Sequence, residues 1–261
     1  MRTVLGRKQT SKNEDWLWAL ENIEDLISEE EVQDFADKAL IEIGKAAFGK
    51  KAAFAYSGGK DSIVLADLCE AAGVTEGFFA YNSLDYPAFI SWVRENKPAG
   101  VRMMHTGYNL KWLYRHQNLI FAEGRLGQRW HSINQRGPFT RMYFDNGLDL
   151  LIVGHRNIDG NFCGPNGYIK KQSGEIRFSP IRDWPHEALL GYIHYHNLPL
   201  PPIYGWKDGF VQGTHVWAER EFCSKDIMKG YREVYEIDPE IVKQAATVLP
   251  SARHFLEEVC A

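Results

Sequence analysis

Apolar positions near the start of the chain recur with helical spacing. Residues 13–27 carry apolar side chains near one face, and Ser28 and Glu31 have the spacing of a capping box that opens a second helix ending near Gly49. Residues 1–11 are charged and lack this periodicity, so they are expected to be disordered. The pattern predicts an N-terminal extension, a helical hairpin, over residues 1–49.

Short apolar runs then alternate with helical patterns. The predicted strands are residues 52–56, 77–81, 101–105, 148–153 and 176–180. Helical spacing follows each of the first three and resumes at residues 185–196, whereas residues 160–174, after the fourth strand, are expected to form a loop. This alternation predicts an α/β fold, a Rossmann-like doubly wound parallel sheet with its ligand site at the carboxyl ends of the strands. Residues 50–204 are assigned to this domain, and residues 205–261 to a C-terminal loop and helical extension.

The turn between the first predicted strand and its helix reads SGGKDS, residues 57–62. Two glycines allow positive φ and a close approach of the backbone to a ligand. The helix that begins at Asp61 and Ser62 directs the positive end of its dipole toward the turn, which suits an oligophosphate. Lys60 can place a charge on phosphate oxygens, and the flanking serines can donate hydrogen bonds. A plain strand-to-helix turn capped by Asp61 is the alternative, but such a turn needs neither the lysine nor two hydroxyls.

SGGKDS resembles the PP-loop of the ATP pyrophosphatase superfamily. A second segment resembles particular families within it. Residues 179–204 are similar to a segment of phosphoadenosine phosphosulfate (PAPS) reductases and of the ATP sulfurylase small subunit. The matching positions there are Pro180, Asp183, Trp184, Leu198, Pro199 and Tyr204. Between the two motifs, Gly154 and Arg156 match the family, whereas its Glu-Ser pair is missing.

The resemblance implies an adenine nucleotide alpha hydrolase-like fold that binds ATP with Mg²⁺. The residues predicted to hold the nucleotide are Ser57, Gly58, Gly59, Lys60, Asp61, Ser62, Asp85, Gly154, Arg156, Arg182 and Asp183. Lys60, Asp61 and Arg156 are the predicted catalytic residues, and Asp61 is also the predicted metal ligand. Arg182 and Asp183 also fit a surface ion pair, and Trp184 and Tyr204 fit core positions better than base stacking.

The cysteines bear on the choice between reactions. A PAPS reductase uses a thiolate from a C-terminal Glu-Cys-Gly-hydrophobic-His motif, but Cys260 here is followed by a single alanine, and Cys163 and Cys223 are isolated. We therefore predict cleavage of ATP between its α and β phosphates to activate an unidentified acceptor. A PAPS or adenosine phosphosulfate reductase is the first alternative. A nucleotide-binding subunit that needs a protein partner is the second.

Charge and composition limit the partners. The net charge is −4, which gives no global basic field for nucleic-acid binding. A local basic and aromatic segment offers charges for sulfate, a second phosphate or a single nucleic-acid strand, although a solvated helix is favoured; its residues are Arg125, Arg129, Trp130, His131, Arg136, Phe139 and Arg141. The N-terminus lacks the features of a secretory signal, and no apolar run reaches the roughly 18 residues of a membrane span, so a cytoplasmic location without membrane contact is expected. The sequence leaves open whether the protein forms a homo-oligomer.

Overall fold

The computed structural model describes residues 1–6, 10–220 and 226–259. Its strands are β1 (Ala52–Tyr56), β2 (Gly77–Tyr81), β3 (Val101–His105), β4 (Leu150–Ile152), β5 (Tyr168–Lys170) and β6 (Ile176–Phe178). Its helices are α1 (Asn13–Glu21), α2 (Ile23–Leu26), α3 (Glu29–Ala47), α4 (Lys60–Ala71), α5 (Pro87–Asn96), α6 (Leu110–Tyr114), α7 (Gly124–His131), α8 (Gly137–Asp145), α9 (His186–Tyr195), α10 (Gly209–Gln212), α11 (Ile227–Ile237), α12 (Pro239–Ala246) and α13 (Pro250–Val259). One π-helical turn, Ser132–Arg136, joins α7 to α8.

The strands form one six-stranded sheet in the order β3-β2-β1-β4-β6-β5. Every pairing is parallel except that of β5 with β6. From β1 the chain continues outward to β2 and β3, then returns to place β4 on the other side of β1. Loops that leave β1 and β4 therefore diverge, which opens a crevice at the carboxyl ends of these two strands. The predicted Rossmann-like α/β fold is confirmed.

Strand β5 corrects the expected loop over residues 160–174. Its side chains alternate between exposed and half-buried, and Lys170 lies on this outer edge of the sheet. A three-residue, partly polar strand gives no clear period-two signal in the sequence, and charged residues on an edge strand limit pairing with other chains. The sheet is therefore mixed at one edge.

The N-terminal extension contributes to the core. The capping box is present, since the N–H of Glu31 donates to Ser28 Oγ at 3.2 Å. Part of the expected disorder over residues 1–11 is wrong: Leu5 is buried, and its backbone N–H donates to the buried carboxylate of Glu187 at 2.8 Å. An added Cβ at Gly191 of α9 would lie 2.8 Å from side-chain atoms of both Ile27 and Val32, so α9 and the extension pack closely.

Two other helical predictions need correction. The helix expected over residues 13–27 is broken at Asn22 between α1 and α2. The single helix expected over residues 239–259 is two helices, because Pro250 lacks the N–H that would continue α12 and instead begins α13. The division of the chain at residues 49 and 204 stays a prediction. In the described part of the chain, every helix is too short or too polar to span a membrane.

Candidate active site

The loop that links β1 to α4 has the conformation that its glycines suggested. Gly58 has φ +68°, and an added Cβ would lie 2.8 Å from the Phe89 ring, so glycine is required on both counts. Gly59 is the N-cap residue of α4. The hydroxyl of Ser57 donates to Ser62 Oγ at 3.1 Å, which ties the two ends of the loop together. The loop thus places a helix N-terminus and two hydroxyls at the carboxyl end of the central strand.

A cleft of about 390 Å³ lies in front of this loop. Its walls come from the loop itself, from the segment after β4, from the π-helical region between α7 and α8, and from the segment after α10. The polar lining residues are Ser57, Lys60, Asp61, Ser62, His131, Gln135, His155, Asp159, Asn161, Arg177, Tyr204, Thr214 and His215. Sites for small molecules and cofactors usually measure about 300–1,000 Å³, so the cleft is large enough for a nucleotide.

Charged groups meet beneath the loop. Asp61 Oδ1 lies 2.7 Å from Arg156 Nε, and Asp61 Oδ2 lies 2.8 Å from Lys60 Nζ. Arg156 also pairs with Asp159 at 3.1 Å. Burial lowers the pKa of Lys60, and the neighbouring Arg156 lowers it further, whereas Asp61 opposes both effects. Each cation is thus held against a carboxylate, as buried charges require.

The N-terminal helix α1 closes the far side of this charge cluster. Trp16 is fully buried, and its ring stands edge-on to His186 with centroids 4.4 Å apart. His186 Nδ1 accepts a hydrogen bond from Arg156 Nη2 at 2.9 Å, which fixes Nδ1 as the unprotonated nitrogen. Burial, Arg156 and Lys60 together lower the pKa of His186 to about 3. The ring therefore stays neutral near pH 7.

Another part of the cleft wall carries one arginine and two histidines. His155 follows β4, Arg177 is the central residue of β6, and His131 ends α7. Burial lowers the pKa of His155 to about 4, with Arg177 and His131 contributing in the same direction. Arg177 is buried and pairs with Glu175, yet its Nη2 atom has no hydrogen-bond partner among the described residues. An unsatisfied buried donor is costly, so this wall is suited to an anion.

The sequence model of the phosphoadenosine phosphosulfate reductase domain family matches residues 51–212, more than half of the chain. The protein belongs to this family. The match covers all six strands, the loop between β1 and α4, and α10. It ends just before Thr214 and His215.

Similar proteins agree with this assignment. The phosphoadenosine 5'-phosphosulfate reductase of Alkalilimnicola ehrlichii is 20% identical over 136 residues, which span 52% of this chain and 55% of that protein. The enzyme of the same description from Thiocapsa roseopersicina is 27% identical over 85 residues, 32% of this chain and 36% of that protein. The chain therefore spans about half or less of the length of these relatives. A crystal structure of the Candida auris PAPS reductase in a phosphate complex superposes with a TM-score of 0.53 at 16% identity, over 73% of this chain and 96% of that one, which supports the fold.

Arg156 lies elsewhere than predicted. We expected its side chain to enter the crevice, but it is fully buried behind Asp61, while His155 lines the cleft. Arg156 is in an extended conformation, and neighbouring side chains in extended backbone point to opposite sides. Gly154 lines the cleft, and an added Cβ would lie 3.1 Å from the carbonyl oxygen of Asp61.

Arg182 and Asp183 lie away from the cleft lining. Arg182 Nη1 donates to Glu42 of α3 at 2.6 Å, and Asp183 accepts from Asn157 Nδ2 at 2.8 Å. Arg182 thus joins the domain to α3, whereas Asp183 contacts a segment within the domain. Of the two aromatic neighbours, Trp184 packs between Phe35 and Tyr192 in the core.

Asp85 and Tyr204 lie next to the loop. Asp85 lines a small cavity of about 30 Å³ that shares Ser57 and His215 with the cleft, and it accepts from the N–H of Asn82 at 2.7 Å. Burial raises the pKa of Asp85 to about 7. Tyr204 is buried, but its hydroxyl accepts from the N–H of Lys60 at 2.8 Å. Tyr204 is thus both a core residue and a contact of the loop.

The predicted Mg²⁺ ligand has other partners. Both carboxylate oxygens of Asp61 already face cations, and Asp159 faces Arg156. No group of three or more metal-binding side chains occurs in the described ranges. The donor set around Asp61 therefore does not fit a cation held by the protein.

Several lining residues escaped the sequence analysis. Arg177 could have been noticed as a charged residue in the middle of a short apolar strand. His155 could have been noticed because, in extended backbone, its side chain points to the side opposite that of Arg156. From the basic segment His131 and the mostly buried Phe139 line the cleft, whereas Arg125, Arg129, Arg136 and Arg141 are exposed and Trp130 is fully buried. Trp130 is enclosed in the core and cannot stack on a nucleic-acid base.

The described cysteines lie outside the cleft lining. Cys69 is buried in α4, and burial raises the pKa of its thiol. Cys163 is also buried, with Sγ 3.5 Å from the carbonyl oxygen of His155, and burial raises its pKa too. Neither has the lowered pKa of a nucleophilic thiol. Cys223 and Cys260 lie outside the described residues.

Proposed function

We propose that this protein binds ATP in the cleft and transfers its adenylyl group to an acceptor, with release of pyrophosphate. The acceptor attacks the α phosphorus, a new acceptor–phosphorus bond forms, and the bond to the β-phosphate oxygen breaks. The observation that carries the proposal is the loop of residues 57–62, which places two serine hydroxyls and the N-terminus of α4 at the crevice between β1 and β4.

The walls of the cleft support a ligand with several negative charges. The loop offers the positive end of the α4 dipole on one side, and Arg177 offers an unsatisfied buried Nη2 group on the other. His155 and His131 can donate further hydrogen bonds. These groups are fixed in place before the ligand arrives, so they can stabilise charge that builds on departing pyrophosphate without reorganisation.

Lys60 has an indirect role under this proposal. Its ammonium group is almost fully buried and pairs with Asp61, so it stabilises the loop from beneath instead of extending over the phosphates. Arg156 also stabilises the loop, through its ion pair with Asp61. We therefore assign phosphate contacts to the loop, to His155 and to Arg177, and assign Lys60, Asp61 and Arg156 to positioning of the loop.

A labelled-substrate assay tests the reaction. The protein is incubated with ATP labelled at the α phosphate and Mg²⁺, and the products are separated. AMP or an AMP adduct together with pyrophosphate is expected, and release of ADP would contradict the proposal. Arg177→Gln should weaken ATP binding about tenfold or more, since a charged hydrogen bond contributes about 1.5–3 kcal/mol. Arg253→Gln, on α13, is the matched control and should bind ATP as the unaltered protein does.

Reduction of a nucleotide sulfate is the second candidate, and the family itself favours it. Proteins described as phosphoadenosine 5'-phosphosulfate reductases are the relatives that the chain matches. Such chemistry needs a reactive thiolate, which neither Cys69 nor Cys163 offers. Sulfite release from PAPS in the presence of a thiol reductant, abolished in Cys260→Ser or Cys223→Ser, would establish this candidate. ATP binding without turnover would instead favour a subunit that needs a partner.

A further inference from the structure

A histidine–carboxylate pair lies at the rim of the cleft, just beyond the part of the chain that matches the family. His215 Nδ1 is 3.1 Å from Glu219 Oε1. The Glu219 side chain is 7% exposed, whereas the His215 side chain is 30% exposed and lines the cleft. A buried carboxylate thus holds a ring that solvent and ligands can reach.

The carboxylate is itself fixed by a hydrogen-bond network. Asn134 Nδ2 donates to Glu219 Oε2 at 3.0 Å, and Asn82 Nδ2 donates to Asn134 Oδ1 at 3.0 Å. Asn82 is buried in the turn after β2, where its own Oδ1 accepts from the N–H of Leu84 at 2.8 Å. The orientation of Glu219 is therefore set by the sheet and by the π-helical turn.

This arrangement determines which ring nitrogen of His215 carries the proton. A carboxylate accepts from Nδ1–H, so the neutral ring has its lone pair on Nε2. The adjacent residue, Thr214, is close to the phosphate loop, since an added Cβ at Gly59 would lie 3.3 Å from Thr214 Oγ1. His215 itself lines both the cleft and the adjoining small cavity, each of which also includes Ser57 of the loop.

We propose that His215 is the general base that deprotonates the acceptor, and that Glu219 is its positioning residue. The inference rests on the proposed function and adds the chemical class of the acceptor. As a neutral hydroxyl or amine attacks the α phosphorus, its proton passes to Nε2, the acceptor–phosphorus bond forms, and pyrophosphate departs with the electron pair of the broken bond. The resulting imidazolium is stabilised by Glu219. An anionic acceptor such as sulfate has no proton to remove and needs no such base, so the acceptor is a neutral O–H or N–H nucleophile.

The test uses water as the acceptor and measures pyrophosphate release from ATP by the full chain. His215→Ala should lower the rate about 100-fold or more, the usual contribution of a general base, while ATP affinity changes less than about twofold. Added imidazole should restore part of the rate, which a purely structural role would not allow. Glu219→Gln should give a smaller loss of rate, again with affinity retained. ATP binding by each variant also shows that it is folded.

His254 provides a matched control. It pairs with Glu258 at 3.1 Å with the same four-residue spacing, but both side chains are exposed on α13. His254→Ala should release pyrophosphate at the rate of the unaltered protein. If His215→Ala is as fast, the role of His215 is wrong while the proposed function stands. If the unaltered protein binds ATP but releases no pyrophosphate, both fail.

Discussion

The Nζ atom of Lys60 lies 5.2 Å from the centroid of the Trp16 indole ring. The lysine comes from the loop of residues 57–62 and the ring from α1, in a segment that precedes the family match. Trp16 also stacks on Phe210, with ring centroids 5.7 Å apart. Because a desolvated cation over an indole ring gains about 2 kcal/mol, the N-terminal helix stabilises the ammonium group on which Asp61 depends.

Replacing Trp16 should therefore affect the whole protein. Trp16→Leu should lower the free energy of unfolding by about 3 kcal/mol, since large core aromatics typically contribute 3–5 kcal/mol relative to alanine. Chemical denaturation measures this value. Trp18, on the same helix, is 46% exposed, and Trp18→Leu should change stability by less than about 0.5 kcal/mol. Equal losses in both variants would contradict the assigned contacts.

Arg156 should be more important for stability than for ligand contact. Arg156→Leu leaves Asp61 and Asp159 without their shared cation, so it should cost about 3–5 kcal/mol of unfolding free energy. Arg182→Leu breaks a half-exposed pair with Glu42 and should cost about 1 kcal/mol or less. Urea titrations of both variants give the comparison. A small effect of Arg156→Leu would show that its ion pairs form only weakly in solution.

The buried His186 makes stability depend on pH. An unfolded histidine begins to take up a proton below its ordinary pKa of about 6.5, whereas the folded protein keeps His186 neutral down to about 3. Between these values the unfolded state binds more protons, so unfolding free energy falls as the pH decreases, by up to about 1.4 kcal/mol per pH unit from this group. Denaturation midpoints from pH 7.5 to 5 should show a smaller slope in His186→Gln. An unchanged slope would mean that His186 has the same pKa in the folded and the unfolded protein.

The conformation of the loop predicts a contrast between two glycines. Gly58→Ala should abolish an ATP-dependent thermal shift, because its Cβ would meet Phe89 at a positive φ and displace the loop. Gly73 also has positive φ, at +84°, but nothing lies within 4 Å of an added Cβ. Gly73→Ala should cost about 1–2 kcal/mol of stability and leave the thermal shift intact. Loss of the shift in both variants would point to a general folding defect.

The sequence was informative where a local pattern determines structure. The unit formed by β1, the glycine loop and α4 was predictable because a strand, two glycines and a helix start follow one another directly. The position of the site at the carboxyl ends of the strands follows from the alternation of strands and helices.

Long-range contacts were beyond the sequence. Arg182 finds Glu42 at a separation of 140 residues, and nothing local distinguishes that pairing from a role in nucleotide binding. His155, and not Arg156, points into the cleft because successive side chains alternate in the extended backbone after β4. A shift of one residue reverses the side to which each of them points. His215 gave no signal either, because Glu219 acquires its significance only when Asn134 holds it in place.

The hydrogen bonds between the Leu5 region and Glu187 span 182 residues of sequence. During synthesis, the N-terminal helices emerge from the ribosome long before α9, the surface that buries them. Their apolar faces must wait for most of the sheet to be translated, which exposes them to chaperones or to aggregation in the meantime. Because Trp16 of α1 contacts Lys60, the loop of residues 57–62 gains this contact only once α1 has docked.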